Sequence, residues 1–163
     1  MKRKKRTDEF VSEQIYKQFE KTDGYFVHPL QDKKANDFND LKLISELFTK
    51  QGKDTYIMPN IDKESLLYHY LFKMRGAYTG KKPDLLVGGN LFEYKSFVGT
   101  MNTRKINTMI NSAIEQSNCI IIDIRNSNMT VRFATQRIYN KIMNGEIINV
   151  AYLLTDNGLV KVI

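Results

Sequence analysis

The sequence predicts an α/β fold in which a central mixed β-sheet is flanked by helices. Short apolar runs of strand length alternate with longer segments in which apolar residues recur at helical spacing. Two pairs of strand-like runs are joined by glycine-containing turns, which predicts hairpins beside strands that are linked through helices. The 163 residues, of which 42% are hydrophobic, are enough for one compact core.

The first 35 residues are predicted to form an extension of the main domain, which covers residues 36–163. Residues 1–6 read Met-Lys-Arg-Lys-Lys-Arg and predict a basic tail, which either contacts phosphates or keeps the terminus solvated. Apolar residues at helical spacing predict a helix over residues 8–20. A loop through His28 and Pro29 then leads into the main domain.

Three elements are predicted ahead of the first hairpin. An amphipathic helix covers residues 37–51 and ends at Gly52, because glycine is common just past a helix end. A short apolar run between Gly52 and Pro59 predicts a strand over residues 55–59. Residues 64–74 have a helix-like pattern, and we interpret them as an excursion beside the candidate site.

The second half of the chain predicts a regular alternation of helices and strands. A helix begins near Thr103, and the near-continuous apolar run of residues 119–124 predicts a strand that is covered on both faces. Helical spacing returns over residues 131–143. Two further strands, at residues 150–154 and 159–163, form a hairpin through an Asp-Asn-Gly turn.

The first hairpin gathers two carboxylates and a lysine. If Gly88-Gly89 is its two-residue turn, Asp84 lies directly opposite Glu93. If the turn is Gly89-Asn90, Asp84 faces Lys95 and lies diagonal to Glu93. Because side chains alternate along a strand, Glu93 and Lys95 share one face. Either register therefore brings the three charges to the same side of the sheet.

Two carboxylates opposed across a hairpin destabilise it unless a cation lies between them. Hard divalent cations such as Mg²⁺, or Mn²⁺ in its place, bind carboxylate and carbonyl oxygens. Asp84, Glu93 and the carbonyl of Tyr94 could supply three of these oxygens. Lys95 would then orient or deprotonate the attacking water and offset charge on a phosphate. The alternative is that Lys95 only neutralises the two acids in a structural salt bridge.

Asp40 is a candidate for a further metal ligand. It falls between Ile44 and Leu47 on the apolar face of its helix, where a charged carboxylate is unexpected unless it has a function. It could complete the metal shell directly or through water. As an acid near the start of a helix, it could instead simply favour the helix dipole.

The charge of the chain favours an anionic partner. The formal net charge is +7, and nucleic acid is the commonest partner of a basic domain. Arg104 and Lys105 follow a loop and are candidate phosphate contacts, with solvated surface charge as the alternative. Arg75, together with Tyr68 to Tyr70, could stack on or pair with an RNA base, or these residues could serve packing.

Several short motifs in the chain resemble those of one nuclease superfamily. Pro83-Asp84 followed by Glu93-Tyr94-Lys95 resembles the PD-(D/E)xK motif. Residues 103–106, 113–117 and 119–123 then follow the order of a narrower branch: a helix ending near Gln-Ser and an apolar strand ending in Asp. That branch is the tRNase-type toxin domain at the C-termini of contact-dependent growth inhibition proteins.

The resemblance covers residues 36–163, which we interpret as a nuclease domain with a restriction-endonuclease-like core. It implies a metal-dependent RNA endonuclease that is delivered into a competitor cell and blocked in the producer by an immunity protein. It also implies an active-site role for Gln116, whose alternative role is a hydrogen bond at the helix end. Of the substrates, tRNA is favoured. Two other functions stay open: a DNA endonuclease of restriction or resolvase type, and an idle nucleic-acid-binding module of a mobile element.

The cysteine content and the lengths of the apolar runs bear on the cellular location in which the chain is expected to act. Its single cysteine, Cys119, lies in an apolar run and predicts a core position, so no disulfide framework is expected. No apolar run approaches the roughly 20 residues that span a bilayer. The basic start is not followed by the apolar stretch of a secretory signal. We expect activity in the cytoplasm of a producer or target cell, with any export signal carried elsewhere in a larger secreted protein.

Overall fold

The computed structural model describes residues 2–163 and their side chains from residue 4 onward. The chain divides into two compact units, Met1–Leu91 and Phe92–Ile163. Each unit combines helices with a mixed β-sheet. The α/β class with a mixed sheet flanked by helices is therefore confirmed.

Over its described residues, 2–91, the first unit contains three α-helices, a 3-10 turn and four complete strands. In chain order they are α1 (Lys2–Tyr16), β1 (Glu20–Thr22), β2 (Tyr25–Val27), α2 (Phe38–Lys50), β3 (Thr55–Ile57), α3 (Leu66–Leu71), the 3-10 turn Lys73–Arg75 and β4 (Leu85–Val87).

Strand β5 (Asn90–Ser96) starts at the end of the first unit and runs into the second. The second unit continues with α4 (Thr103–Ile114), β6 (Cys119–Asp123), α5 (Val131–Met143), β7 (Val150–Thr155) and β8 (Gly158–Lys161).

The sheet of the first unit mixes both pairing directions. Strand β1 pairs antiparallel with β2, β2 pairs parallel with β3, and β3 pairs antiparallel with β4. Helix α2 packs against β2 and β3, and its buried stripe includes Leu41, Ile44 and Phe48. Helix α1 packs against α3. Because β2 is paired with β3, residues before position 36 contribute to the sheet of this unit.

The second unit is built from two parallel crossovers. Strands β5, β6 and β7 are parallel neighbours, and β8 pairs antiparallel with β7. Helix α4 packs against β6 and α5 against β7. Their buried residues form one core with Ile120 and Ile122 of β6. All five residues of β6 are buried, as expected for a central parallel strand.

The N-terminal region differs from the sequence-based prediction. Residues 2–6, predicted as a tail, are the first turns of α1, and Met1 lies outside the described residues. Lysine and arginine are good helix formers, so a basic run can extend a helix that is anchored further along. The loop predicted near His28 follows two strands that were missed, because β1 and β2 have only three residues each and β1 is fully exposed.

The turn of the first hairpin is Gly88-Gly89. Strand β4 ends at Val87 and β5 begins at Asn90, so the alternative turn at Gly89-Asn90 is wrong. Both glycines have positive φ angles, +53° at Gly88 and +86° at Gly89, as a type I′ turn requires. The Gly88 amide donates a hydrogen bond to the Asp54 carbonyl at 2.9 Å.

A pair of substitutions at Gly88 tests this turn. We expect Gly88→Ala to lower the free energy of unfolding by about 1–2 kcal/mol, because a Cβ disfavours left-handed backbone. Gly88→Asn should stay within about 0.5 kcal/mol of the parent chain, because asparagine tolerates this conformation. Apart from the adjoining residues, no described atom lies within 4 Å of an added Cβ, so steric clash with the rest of the fold does not enter. Urea unfolding measures both values, and equal losses would contradict the turn assignment.

Candidate active site

Strand β5 carries a close pair of opposite charges on one face. The Lys95 Nζ lies 2.6 Å from Oε1 of Glu93. Glu93 is 5% exposed, whereas the Lys95 side chain is 32% exposed. Both residues align with core isoleucines of β6, Glu93 with Ile120 and Lys95 with Ile122. A carboxylate is thus held in apolar surroundings by an ammonium group whose surface is still partly open to solvent.

The other face of β5 carries a second polar network around Asp123. Asp123 is fully buried at the end of β6. The Tyr94 hydroxyl donates to its Oδ2 at 2.8 Å. The Arg125 guanidinium donates to both carboxylate oxygens, at 3.0 Å from Nε and 2.7 Å from Nη2, and the Arg125 backbone amide donates to Oδ1 at 3.0 Å.

These contacts determine the charge state of Asp123. Burial raises the pKa of the carboxyl group, but the hydrogen bonds from Arg125 and Tyr94 outweigh it, so the pKa lies below its ordinary value. Sequence reasoning assigned Asp123 no role. One signal for Asp123 was present in the sequence, an acid at the end of an apolar strand. Its hydrogen-bond partner Tyr94 is 29 residues away in the chain, so short-range patterns could not reveal the contact.

The other predicted residues of the second unit lie at two ends of its sheet. Gln116 follows α4, is partly buried and donates its backbone amide to the Ala113 carbonyl at 3.0 Å. It comes shortly before β6, whose first residue aligns with the residue before Glu93. Arg104 and Lys105 are exposed in the first turn of α4, beyond the far end of β5. The roles of these three residues stay predictions.

The first unit contains Asp84 and Asp40. Asp84 directly precedes β4, is partly buried, and accepts the Met58 amide at its carbonyl at 2.9 Å. Asp40 is partly buried in the first turn of α2, where a carboxylate also favours the helix dipole. Their roles as metal ligands stay predictions.

Arg75 lies in surroundings different from those expected. Its guanidinium carbon lies 4.6 Å from the ring centroid of Tyr16, a residue of α1. Tyr68, one of its predicted neighbours in base recognition, is buried and donates its hydroxyl to the carbonyls of Tyr78 and Lys81. Tyr68 therefore serves packing, and the exposed Arg75 is paired with a different aromatic ring.

The donor atoms needed for a hard cation are oxygen atoms, and the predicted set supplies them. Glu93 and Asp84 offer carboxylates, and Tyr94 offers a backbone carbonyl. Across residues 2–163, no three or more His, Cys, Asp or Glu side chains are grouped so that they could hold a metal ion. A shell with Asp40 as a third direct carboxylate therefore has no support, and its role through water stays a prediction.

The fold and these contacts define a basic α/β domain in which a sheet strand carries a buried acid paired with a partly exposed lysine. Residues 81–158 match the family model described as the contact-dependent growth inhibition CdiA C-terminal domain. The matched segment is a little under half of the chain. It includes Glu93, Lys95 and Asp123.

The fold is also similar to a solved structure. One chain of the "CdiA-CT/CdiI toxin and immunity complex from Burkholderia pseudomallei" matches with a TM-score of 0.55 and 17% sequence identity. The match covers 82% of this chain and 91% of that chain, and at this identity it shows the shared fold. No curated protein matches the sequence. Among the described residues, no helix has the length and apolarity that crossing a membrane requires.

Removing the charge of Asp123 tests the network. We expect Asp123→Asn to lower the free energy of unfolding at neutral pH by about 3 kcal/mol, because it leaves Arg125 without its buried counter-ion. The matched variant Tyr94→Phe keeps the ring and loses one hydrogen bond, so its cost should be about 1 kcal/mol. Chemical unfolding at pH 7 measures both. A smaller loss for Asp123→Asn than for Tyr94→Phe would contradict the network.

The lowered pKa of Asp123 gives a second expectation for the same variant. Its stabilising contribution is fully present above the unfolded pKa of about 3.9 and is lost as the pH falls through the lower folded value. The parent chain should therefore lose stability more steeply than Asp123→Asn below about pH 4. Unfolding curves recorded between neutral pH and pH 3 test this, and parallel curves for the two proteins would contradict the assignment.

Proposed function

We propose that the chain is a metal-dependent endonuclease that hydrolyses phosphodiester bonds in RNA, with tRNA favoured, as an interbacterial toxin-type domain. The ion pair between Lys95 and Glu93 is the observation that carries this proposal. It lies within the segment that matches the CdiA C-terminal domain. A buried carboxylate beside a partly open ammonium group provides both a cation ligand and a positive charge for a phosphate.

Asp84, Glu93 and the Tyr94 carbonyl would hold Mg²⁺ or Mn²⁺, with Asp40 reached through water. When bound, such an ion acts as a Lewis acid on the phosphate oxygens and lowers the pKa of a coordinated water. The assignment of Asp84 rests on its spacing from Glu93 across the glycine turn.

The side chains of the chain supply the remaining steps. Glu93 fixes the ammonium group of Lys95, which orients the attacking water and offsets the charge that develops on the phosphate. Gln116 assists from the end of α4 by hydrogen bonding. Arg104 and Lys105 hold a neighbouring phosphate of the substrate, because they are exposed cations at a helix N-terminus.

The net charge of +7 supports a nucleic-acid substrate. The structurally similar protein was solved as a toxin and immunity complex. By extension, we propose that an immunity protein binds this chain in the producing cell. The family match leads to the further proposal that the domain is delivered as part of a larger secreted protein and acts in the cytoplasm of the target cell.

Incubation of the purified chain with total tRNA and with plasmid DNA tests the activity. We expect tRNA to be cleaved with Mg²⁺, DNA to stay intact, and EDTA to stop the reaction. Lys95→Ala and Glu93→Gln should each reduce the rate by about 100-fold or more, because each removes a group that acts in the transition state. Lys161→Ala, which removes an exposed lysine of β8 in the same unit, is the matched control.

The other outcomes each point away from the proposal. Cleavage of plasmid DNA with tRNA left intact identifies a restriction-type endonuclease. Binding of both substrates without cleavage identifies an idle module. Cleavage of tRNA that persists in EDTA or in folded Lys95→Ala removes the assigned centre, with folding checked by thermal melting.

A further inference from the structure

One face of the first unit's sheet carries a row of aligned side chains that includes two aromatic rings. The strand registers align Lys21 with Phe26, Phe26 with Tyr56, and Tyr56 with Leu86. Residues that are partners in this way point to the same face. Phe26 and Tyr56 stack with centroids 4.6 Å apart and planes 13° apart, and both are partly exposed. Two aromatic rings thus remain accessible on a sheet.

A pocket of about 600 Å³ opens beside these rings. Its apolar lining comes from Phe26, Tyr56 and Leu86, with Tyr16 and Phe19 alongside. Arg75 lies over the face of Tyr16 at one side, and the glycine turn after β4 forms another. The volume is in the range of pockets that hold a nucleoside-sized ligand. All of these residues belong to the first unit.

The charges around the pocket do not make it an anion site. Four charged side chains line it: the carboxylates of Glu13 and Asp54 and the cations of Lys17 and Arg75. Their formal charges cancel, so a free phosphate gains little here. What the pocket offers is a flat aromatic and aliphatic surface, a planar guanidinium, and carboxylate oxygens that accept hydrogen bonds. This combination fits an unpaired nucleobase, which stacks on rings and donates from its edge.

We propose that this pocket binds one unpaired base of an RNA strand. The base contacts the partly exposed ring of Tyr56, and Arg75 approaches it while stacked on Tyr16. The proposal rests on the proposed function for its RNA source, but base binding needs neither the metal nor the cleavage step.

The walls of the pocket are held in place before a ligand arrives. The Tyr16 hydroxyl donates to the Leu71 carbonyl at 2.8 Å, and burial raises its pKa to about 12 against the opposing effect of Arg75. Tyr16 therefore stays protonated and keeps this hydrogen bond at neutral pH. Tyr16 and Phe19 both meet the Tyr56 ring nearly at right angles. A rigid aromatic site loses little entropy when it binds.

The two carboxylates also predict which bases bind best. Glu13 and Asp54 accept hydrogen bonds and have none to donate when ionised. Cytosine, adenine and guanine carry an exocyclic amino group whose two hydrogens can be donated to two carboxylates, whereas uracil donates only its single N3–H. The pocket should therefore prefer the amino-bearing bases to uracil.

Binding measured in EDTA tests the site without cleavage. The probes are short fluorescent single strands of cytidine or uridine RNA and a duplex RNA of equal length, titrated with the full chain. We expect the cytidine strand to bind more tightly than the uridine strand and the duplex. Tyr56→Leu and Arg75→Gln should each weaken its binding by about 5- to 150-fold, the range expected for losing one stacked base. Tyr56→Phe keeps the ring and should retain binding.

Two matched controls separate this site from general effects. Tyr139→Leu removes a tyrosine that is 48% exposed in the second unit, and Lys73→Gln removes an exposed cation close to Arg75 in sequence. Tyr139→Leu should leave binding unchanged, and Lys73→Gln should change it less than Arg75→Gln does. Thermal melting checks that each variant is folded.

The outcomes keep this proposal and the nuclease proposal apart. Tyr56-dependent binding without any tRNA cleavage keeps the base pocket and removes the nuclease. Cleavage of tRNA with binding that is unaffected in folded Tyr56→Leu and Arg75→Gln removes the pocket and keeps the nuclease. Equal binding of single-stranded and duplex RNA also overturns the pocket, since a paired base cannot enter it.

Discussion

The parallel register between β5 and β6 is the constraint on which the second unit depends. Because successive side chains of a strand point to opposite faces, β5 carries Glu93 and Lys95 on one face and Tyr94 on the other. The hydrogen bond from Tyr94 to Asp123 ties the two strands together at a single register. A slip by one residue would exchange the two faces and place the acid–lysine pair where the ring now lies. The hydrogen bond between Tyr94 and Asp123 therefore determines the face of the sheet on which Glu93 and Lys95 lie.

The two polar networks that involve β5 differ in how their buried charge is compensated. The carboxylate of Asp123 is fully buried and receives hydrogen bonds from a tyrosine and an arginine, so its burial is compensated in place. The Glu93–Lys95 pair is partly open at the lysine end. A partly desolvated ion pair contributes little net stability compared with apolar residues of similar size. The proposed catalytic role gives this pair a physical reason that folding stability alone does not supply.

Sequence patterns predicted the long elements well and the long-range contacts poorly. Helix α5 matches the predicted residues 131–143, and β6 was evident as an apolar run, because each follows from spacing within a few residues. Alternation along β5 also predicted that Glu93 and Lys95 share one face, because they are two residues apart. In contrast, Arg75 and Tyr16 are far apart in the chain, and only the packing of α1 against the α3 region brings their side chains together. Strands of three residues, such as β1, are too short to show a period.

In the two proposals, the positive charge of the chain provides attraction to nucleic acid and the aromatic pocket provides selectivity. Every nucleic acid presents the same phosphate charge, so a net charge of +7 attracts RNA and DNA of any sequence alike. Selectivity needs a surface whose attraction does not depend on that charge. In the proposed aromatic pocket, two acidic side chains balance two cationic ones. It meets this requirement because only an unstacked nucleobase would enter it. Single-stranded loops and ends of folded RNA present such bases, whereas intact duplex DNA keeps its bases stacked, so the proposed pocket would favour RNA with unpaired bases over duplex DNA.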